Sequence, residues 1–146
     1  MLDITTPSLR QLYEDWLARR RGREFPARTD FDPLELGYVL GNLSLLDVLS
    51  EPGRYRYRIH ATNTARWFGY DLTGKEIEAC SVPERRERIR RQFDEVVRRR
   101  APMVLRPGFT VAGRPLVTHE ILVLPLADDG ARIDMLMSAV VIPGGQ

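Results

Sequence analysis

The chain has 146 residues, 43% of them hydrophobic and 29% charged, with a formal net charge of +2. That is one domain's length with apolar content for an ordinary core, and it excludes a disordered segment. The single cysteine, Cys80, excludes an internal disulfide and a Cys-rich zinc site, and the apolar runs 121–127 and 135–142 are too short to span a bilayer.

Asp3, Arg10, Glu14 and Asp15 leave no apolar signal-peptide core in residues 1–17, so a reduced cytoplasmic protein without membrane contact is expected. The first helix is predicted over about residues 7–21. Thr6 can cap it, Pro7 suits its first turn, residues 19–21 suit the negative end of its dipole and Gly22 stops it. Leu9, Leu12, Tyr13, Trp16 and Leu17 fall on one stripe at helical spacing. The stripe is wider than one sheet face usually needs, which predicts a homodimer involving this helix. Asp32, Pro33, Leu34 and Glu35 have the cap-then-glutamate pattern of a second, short helix that fades near Gly41. Asp32 therefore reads as a cap rather than as half of a catalytic pair with Asp30.

Residues 44–50 form an apolar strand, Pro52-Gly53 a turn, and residues 54–61 a second strand. Strict alternation in that strand would put Tyr55, Tyr57 and Ile59 on one face and Arg56, Arg58 and His60 on the other. Thr62 or Asn63 can cap a small helix that carries Trp67 and Phe68 and ends at Gly69; residues 71–79 are irregular or a helical turn. The longest helix starts at Ser81, presents Ile89, Phe93, Val96 and Val97 on one side and ends before Pro102. Three β segments close the chain, 103–111, 116–126 and 132–142, with Ala112-Gly113 and Asp129-Gly130 as turns. The grouping of strands gives an α+β class and one domain over residues 1–146, with its core at about 30–142.

Residues 19–21 with Arg23, residues 85–91 and residues 98–100 are arginine-rich, as a phosphate-binding stripe would be. Yet Glu84/Arg88, Glu87/Arg91, Asp94/Arg98 and Glu95/Arg99 each set an acid four residues before an arginine, the favourable order for pairing within a helix. Nucleic-acid binding is accordingly not expected.

The order helix, hairpin, helices, three-stranded meander resembles the PAS fold, a five-stranded antiparallel sheet with short helices and one long helix on a face. The stretches RTDFDPLELGYVLGNLSLLDV (28–48) and YRYRIHATNTARWFGYDLTGKEI (55–77) are similar to the PAS-like sensory domains common in proteobacteria. The shared features are the Asp-Phe-Asp-Pro segment at residues 30–33, the Arg-Tyr-Arg strand and the Gly-x-Asp-Leu-Thr-Gly motif at residues 69–74. Ala61 stands where that family would carry glycine.

The resemblance implies signal sensing through a small-molecule pocket or a dimer interface, with output by contact with an unidentified signalling protein. Candidate ligand contacts are Tyr57, Arg58, Trp67, Phe68, Phe93 and His119. Arg58 reads first as a paired surface arginine, since burying it unpaired is expensive; the alternative turns it toward a cavity, where it could hold a carboxylate at two points. No cofactor, metal or catalytic residue is expected. The long helix has no axial histidine for haem, and Cys80 lies outside the Asn-Cys-Arg-Phe motif of light-sensing flavin domains. Phosphate-loop, dinucleotide, nucleophile-elbow and zinc-helix patterns are missing from the sequence. Two alternatives stand beside the ligand sensor: a cone-shaped α+β isomerase or binding fold using a strand histidine such as His119 as base, and a PAS interaction module with a dry core.

Overall fold

The computed structural model describes residues 2–111, 114–117 and 119–142. Helix α1 (Pro7–Arg19) leads through three 3-10 turns (Arg28–Asp30, Pro33–Leu36 and Leu40–Asn42) into the hairpin β1 (Leu43–Val48) and β2 (Tyr55–Ile59). The short helix α2 (Thr62–Phe68), a turn at Ile77–Ala79 and the long helix α3 (Pro83–Arg99) follow. Strands β3 (Met103–Leu105), β4 (Gly108–Val111), β5 (Arg114–Val117), β6 (Glu120–Leu126) and β7 (Met135–Val141) complete it. The main sheet is antiparallel with the order β2-β1-β7-β6-β3, and β4-β5 forms a separate ribbon. The expected α+β architecture of a five-stranded antiparallel sheet is the one observed.

Two predicted β segments are each split. Residues 103–111 divide into β3 and β4 around Arg106-Pro107, where proline supplies no ladder donor, and 116–126 divides into β5 and β6. The turn signal Ala112-Gly113 lies outside the described residues. At the other turn Gly130 takes φ +81°, and the Asp129 carboxylate accepts the N–H groups of Ala131 and Arg132 at 2.9 and 2.7 Å.

Helix α3 starts at Pro83, two residues beyond the expected cap, and closes on Arg100 at φ 55°, whose N–H donates to the Val96 carbonyl. A left-handed arginine is unusual. Here the guanidinium lies 5.0 Å from the centre of the Phe25 ring and pairs with Glu24 at 2.7 Å, contacts that offset the backbone cost. Thr6 makes no side-chain cap for α1. That duty passes to Glu120 of β6, buried to 1% exposure, whose carboxylate accepts the N–H groups of Thr5 and Thr6 and the Nε–H of Arg106.

Residues paired across neighbouring antiparallel strands share a face. Leu45 and Met137 therefore look one way, toward α1 and the 3-10 turns, while Ser44, Ser138 and Val123 look the other way, toward α2 and α3. On the first face Leu9, Leu12 and Trp16 are 0%, 0% and 3% exposed, and the Trp16 indole donates to the Pro125 carbonyl at 2.8 Å. Burying each such side chain is worth about 1.5–3 kcal/mol. Of the stripe read as a dimer surface, Leu9, Leu12 and Trp16 lie in the chain's own core, and Tyr13 and Leu17 stay partly accessible.

On the second face α3 buries Phe93 and Val96, with Ile89 and Val97 partly buried, as its periodicity predicts. The four expected acid–arginine pairs reduce to one. Glu95 pairs with Arg99 at 2.6 Å and also with Arg98. Asp94 instead accepts the Tyr55 hydroxyl at 2.5 Å, and Glu87 turns to Arg86 and Arg90. Among the described residues no helix is long and apolar enough to cross a membrane.

Candidate functional site

Strand β2 begins as the alternation requires, with Tyr55 and Tyr57 buried and Arg56 and Arg58 exposed, and then changes parity. Leu46 pairs with Tyr57 and the adjacent Leu45 with Ile59, so Arg58 is an extra residue in the ladder. Past this bulge Ile59 is 45% exposed and lies on the α1 side beside Leu45, while His60 turns inward and is 5% exposed. The expected placement of Ile59 with the two tyrosines and of His60 with the two arginines is thereby reversed. His60 Nδ1 accepts the Leu72 N–H at 2.9 Å, which leaves the ring proton on Nε2. Burial lowers its pKa, with the Asp71 carboxylate opposing the shift.

Beneath α2 and α3 the inward side chains close on a cavity of about 30 Å³, roughly one water's share of liquid volume. Tyr57, Phe68, Phe93 and His119 all line it, together with His60 and Thr64. The Tyr57 and His60 rings are 4.7 Å apart between centres, and the Thr64 hydroxyl is buried without a hydrogen-bond partner. Trp67 stands at the rim, its ring edge-on to His119 at 5.0 Å. Four of the six candidate contacts thus converge, and Trp67 supports them.

Arg58 does not join them. It is exposed, and its guanidinium pairs with Asp47 on the neighbouring strand at 3.0 Å. Of the two readings of Arg58, this geometry is that of the paired surface arginine and not that of the inward carboxylate anchor. His119 is held neutral: burial, then the positive charges of Arg88 and Arg85, push its pKa down to about 4. No carboxylate among the described residues lines the cavity.

Cys80 is buried, with its sulfur 3.1 Å from the Tyr70 hydroxyl, which in turn accepts from Arg85 at 3.0 Å. This chain of contacts fastens the start of α3 to the loop after α2, a structural task for the cysteine. Ala61 needs no glycine geometry: it precedes α2 at φ −55° and donates its N–H to the Ser44 hydroxyl. Among the described residues no three His, Cys, Asp or Glu side chains lie close enough to hold a metal ion.

The family model described as PAS domain matches residues 4–140 of the chain. The chain belongs to the PAS domain family. In general terms it is therefore a signal-sensing regulatory domain, of a kind that is typically sensory rather than catalytic. Among solved structures it is similar to the PAS domain of Bordetella pertussis BvgS, at 14% identity and TM-score 0.49, covering 91% of this chain and 86% of that one. It is also similar to an IcIR transcriptional regulator from Alicyclobacillus acidocaldarius, at 11% identity and TM-score 0.35, covering 95% of this chain and 57% of the regulator. No curated protein matches the chain.

A second concavity of this PAS domain opens on the α1 face and was not legible in the sequence. Its volume is about 340 Å³, and Phe31, Leu36, Leu45, Ile59 and Met137 supply apolar walls. Among the described residues, Arg28 is the only charged side chain in its lining. The one sequence hint is that Arg28 opens the RTDFDP segment, whose Asp30 folds back on other partners. Burial would raise the Asp30 pKa, but the Ala27 N–H and the Arg23 guanidinium outweigh it and hold the carboxyl below its usual value.

Proposed function

We propose that this PAS domain is a non-catalytic regulatory module that works by contact with a protein partner, its interior closed by its own side chains. The observation that carries the reading is the 30 Å³ cavity beneath α2 and α3. A space of that size takes a water, and a larger ligand enters only if α2 or α3 moves away. A signal shifts such an equilibrium only by preferring one arrangement over the other. Trp67 is placed for this coupling, being 39% exposed at the surface while its ring abuts buried His119.

A protein suits this surface better than a nucleic acid does. The net charge is only +2, and Arg88 and Arg91 share their surface with Asp94 and Glu95. Dimerisation through α1 would have only the half-buried Tyr13 and Leu17 to use, well short of the roughly 800 Å² per partner of a standard interface. The isomerase reading is disfavoured by a His119 whose pKa of about 4 makes it a weak base at neutral pH.

Native mass spectrometry of the freshly purified chain tests the closed interior. The bare mass is expected, or a complex whose small molecule is still retained by Thr64→Leu. A stoichiometric ligand lost from the folded Thr64→Leu variant would place a ligand site beneath α2 and overturn the reading.

A further inference from the structure

We propose that the groove on the α1 face binds a medium-chain, unbranched carboxylate, with its alkyl chain along Phe31, Leu45, Ile59 and Met137 and its carboxylate on Arg28. The volume of about 340 Å³ falls within the range ligand sites occupy. Two rim residues, Leu40 and Ile59, leave 46% and 45% of their surface in water although both are apolar. Exposed apolar side chains gathered around a concavity mark a binding surface far better than scattered ones. Ile59 is there only because the bulge at Arg58 changes the strand's parity.

Arg28 supplies the charge. Its Nε is buried without a hydrogen-bond partner, and among the described residues no carboxylate lies within 4.0 Å of its guanidinium. Its neighbours are all engaged: Arg19 pairs with Glu35, and Arg21 and Arg23 with Asp30. A buried donor with nothing to bond is costly to keep, and a ligand carboxylate that accepts from it relieves that cost. A guanidinium also meets a carboxylate with two parallel hydrogen bonds, which discriminates an acid from a neutral head group.

An alkyl chain fits this lining better than a peptide does. A peptide brings one amide per residue, each needing a partner, and among the described residues the lining offers polar side chains only from Arg28 and Thr62. Strand addition at the adjacent sheet edge is blocked. The Tyr57 N–H donates to Lys75, the Tyr57 carbonyl accepts from Gly74, and the His60 N–H donates to the Thr73 hydroxyl.

Decanoate, held below its micellar concentration, is the probe, with decanol as the neutral control. Calorimetry is combined with NMR of the intact chain labelled at its methionine methyl groups. One decanoate per chain is expected to shift the Met137 methyl signal and leave that of Met103, on the other face, unmoved. Decanol should bind about tenfold more weakly, and Arg28→Met should erase that difference. Ile59→Glu, at an exposed rim position, should abolish decanoate binding whether or not Arg28→Met folds. Equal binding of acid and alcohol, a shift at Met103 in place of Met137, or decanoate binding unchanged in folded Ile59→Glu would each overturn the proposal. So would self-association lost in Ile59→Glu without any decanoate binding by the parent chain, which would assign the groove to a second copy.

Discussion

The carboxylate of Glu120 accepts the backbone N–H of Thr6 at 2.8 Å, across 114 residues of sequence. A strand residue thereby caps the first helix, and Arg106 and both threonines complete the carboxylate's hydrogen bonding. Removing it takes the acceptor from the partly exposed Arg106 guanidinium and from the N–H groups of Thr5 and Thr6, and uncaps α1. Glu120→Ala is expected to cost about 2 kcal/mol, for the lost cap and the donors left without an acceptor, read as a lower urea midpoint at neutral pH. A loss under about 1 kcal/mol would mean that solvent replaces the carboxylate as cap.

Acid should weaken the domain in two steps. His119 has a pKa of about 4 when folded and 6.5 ordinarily, so between these values the unfolded chain binds a proton that the folded chain refuses. Its contribution is complete above pH 6.5 and is lost as the pH falls toward 4, by at most about 3 kcal/mol. Buried His60 adds in the same direction. Glu120 acts lower. Burial favours its neutral form, but donors from Thr6 and Thr5 outweigh that and hold its pKa at about 2, so its contribution disappears as the pH falls from 4.5 toward 2. Urea denaturation at about pH 7.5 and about pH 5 should differ, and His119→Gln should flatten the difference. Equal midpoints in the parent protein would refute the buried, neutral histidine.

Thr64→Val replaces a buried hydroxyl that has no hydrogen-bond partner with a methyl of nearly the same size. The domain should become more stable by about 1 kcal/mol, because an unpaired buried polar atom is removed. Thermal unfolding measures it. A destabilised variant would indicate that a water in the 30 Å³ cavity bonds the hydroxyl.

Arg58→Met should cost less than about 1 kcal/mol, since the Arg58–Asp47 pair is largely exposed and screened. Chemical denaturation of Arg58→Met and of Asp47→Asn provides the check. A much larger loss would show that the extra residue of the bulge is held in place by its ion pair.

What was legible in the sequence was local. Periodicity located α3 and its buried Phe93, and Asp32 could be read as a cap, which it is, accepting the Leu34 N–H at 3.0 Å. The grouping of strands sufficed for the sheet. What escaped depends on partners distant in the chain. The bulge at Arg58 exists only relative to Leu45 and Leu46 of the facing strand. The helix pairs failed because Tyr55 claims Asp94 and Arg90 claims Glu87. The isolation of Arg28 depends on Asp30 already being taken by Arg21, Arg23 and the Ala27 N–H. Alternation and spacing carry no record of such competition.

Strand β6 is buried at all seven positions and pairs with β7 along its full length, but with β3 only through Ile121, Leu122 and Val123. Beyond Glu120 the strand is uncharged and aliphatic from Ile121 to Leu126, and segments of this kind recruit other chains into intermolecular cross-β stacks when exposed. In the native sheet nothing of β6 is on offer, so aggregation of this protein should follow global unfolding rather than precede it. When unfolding does come, the brake within the strand is Pro125, which has no N–H to give to an incoming chain. Pro125→Val should therefore leave the folded protein soluble and make heated samples precipitate faster.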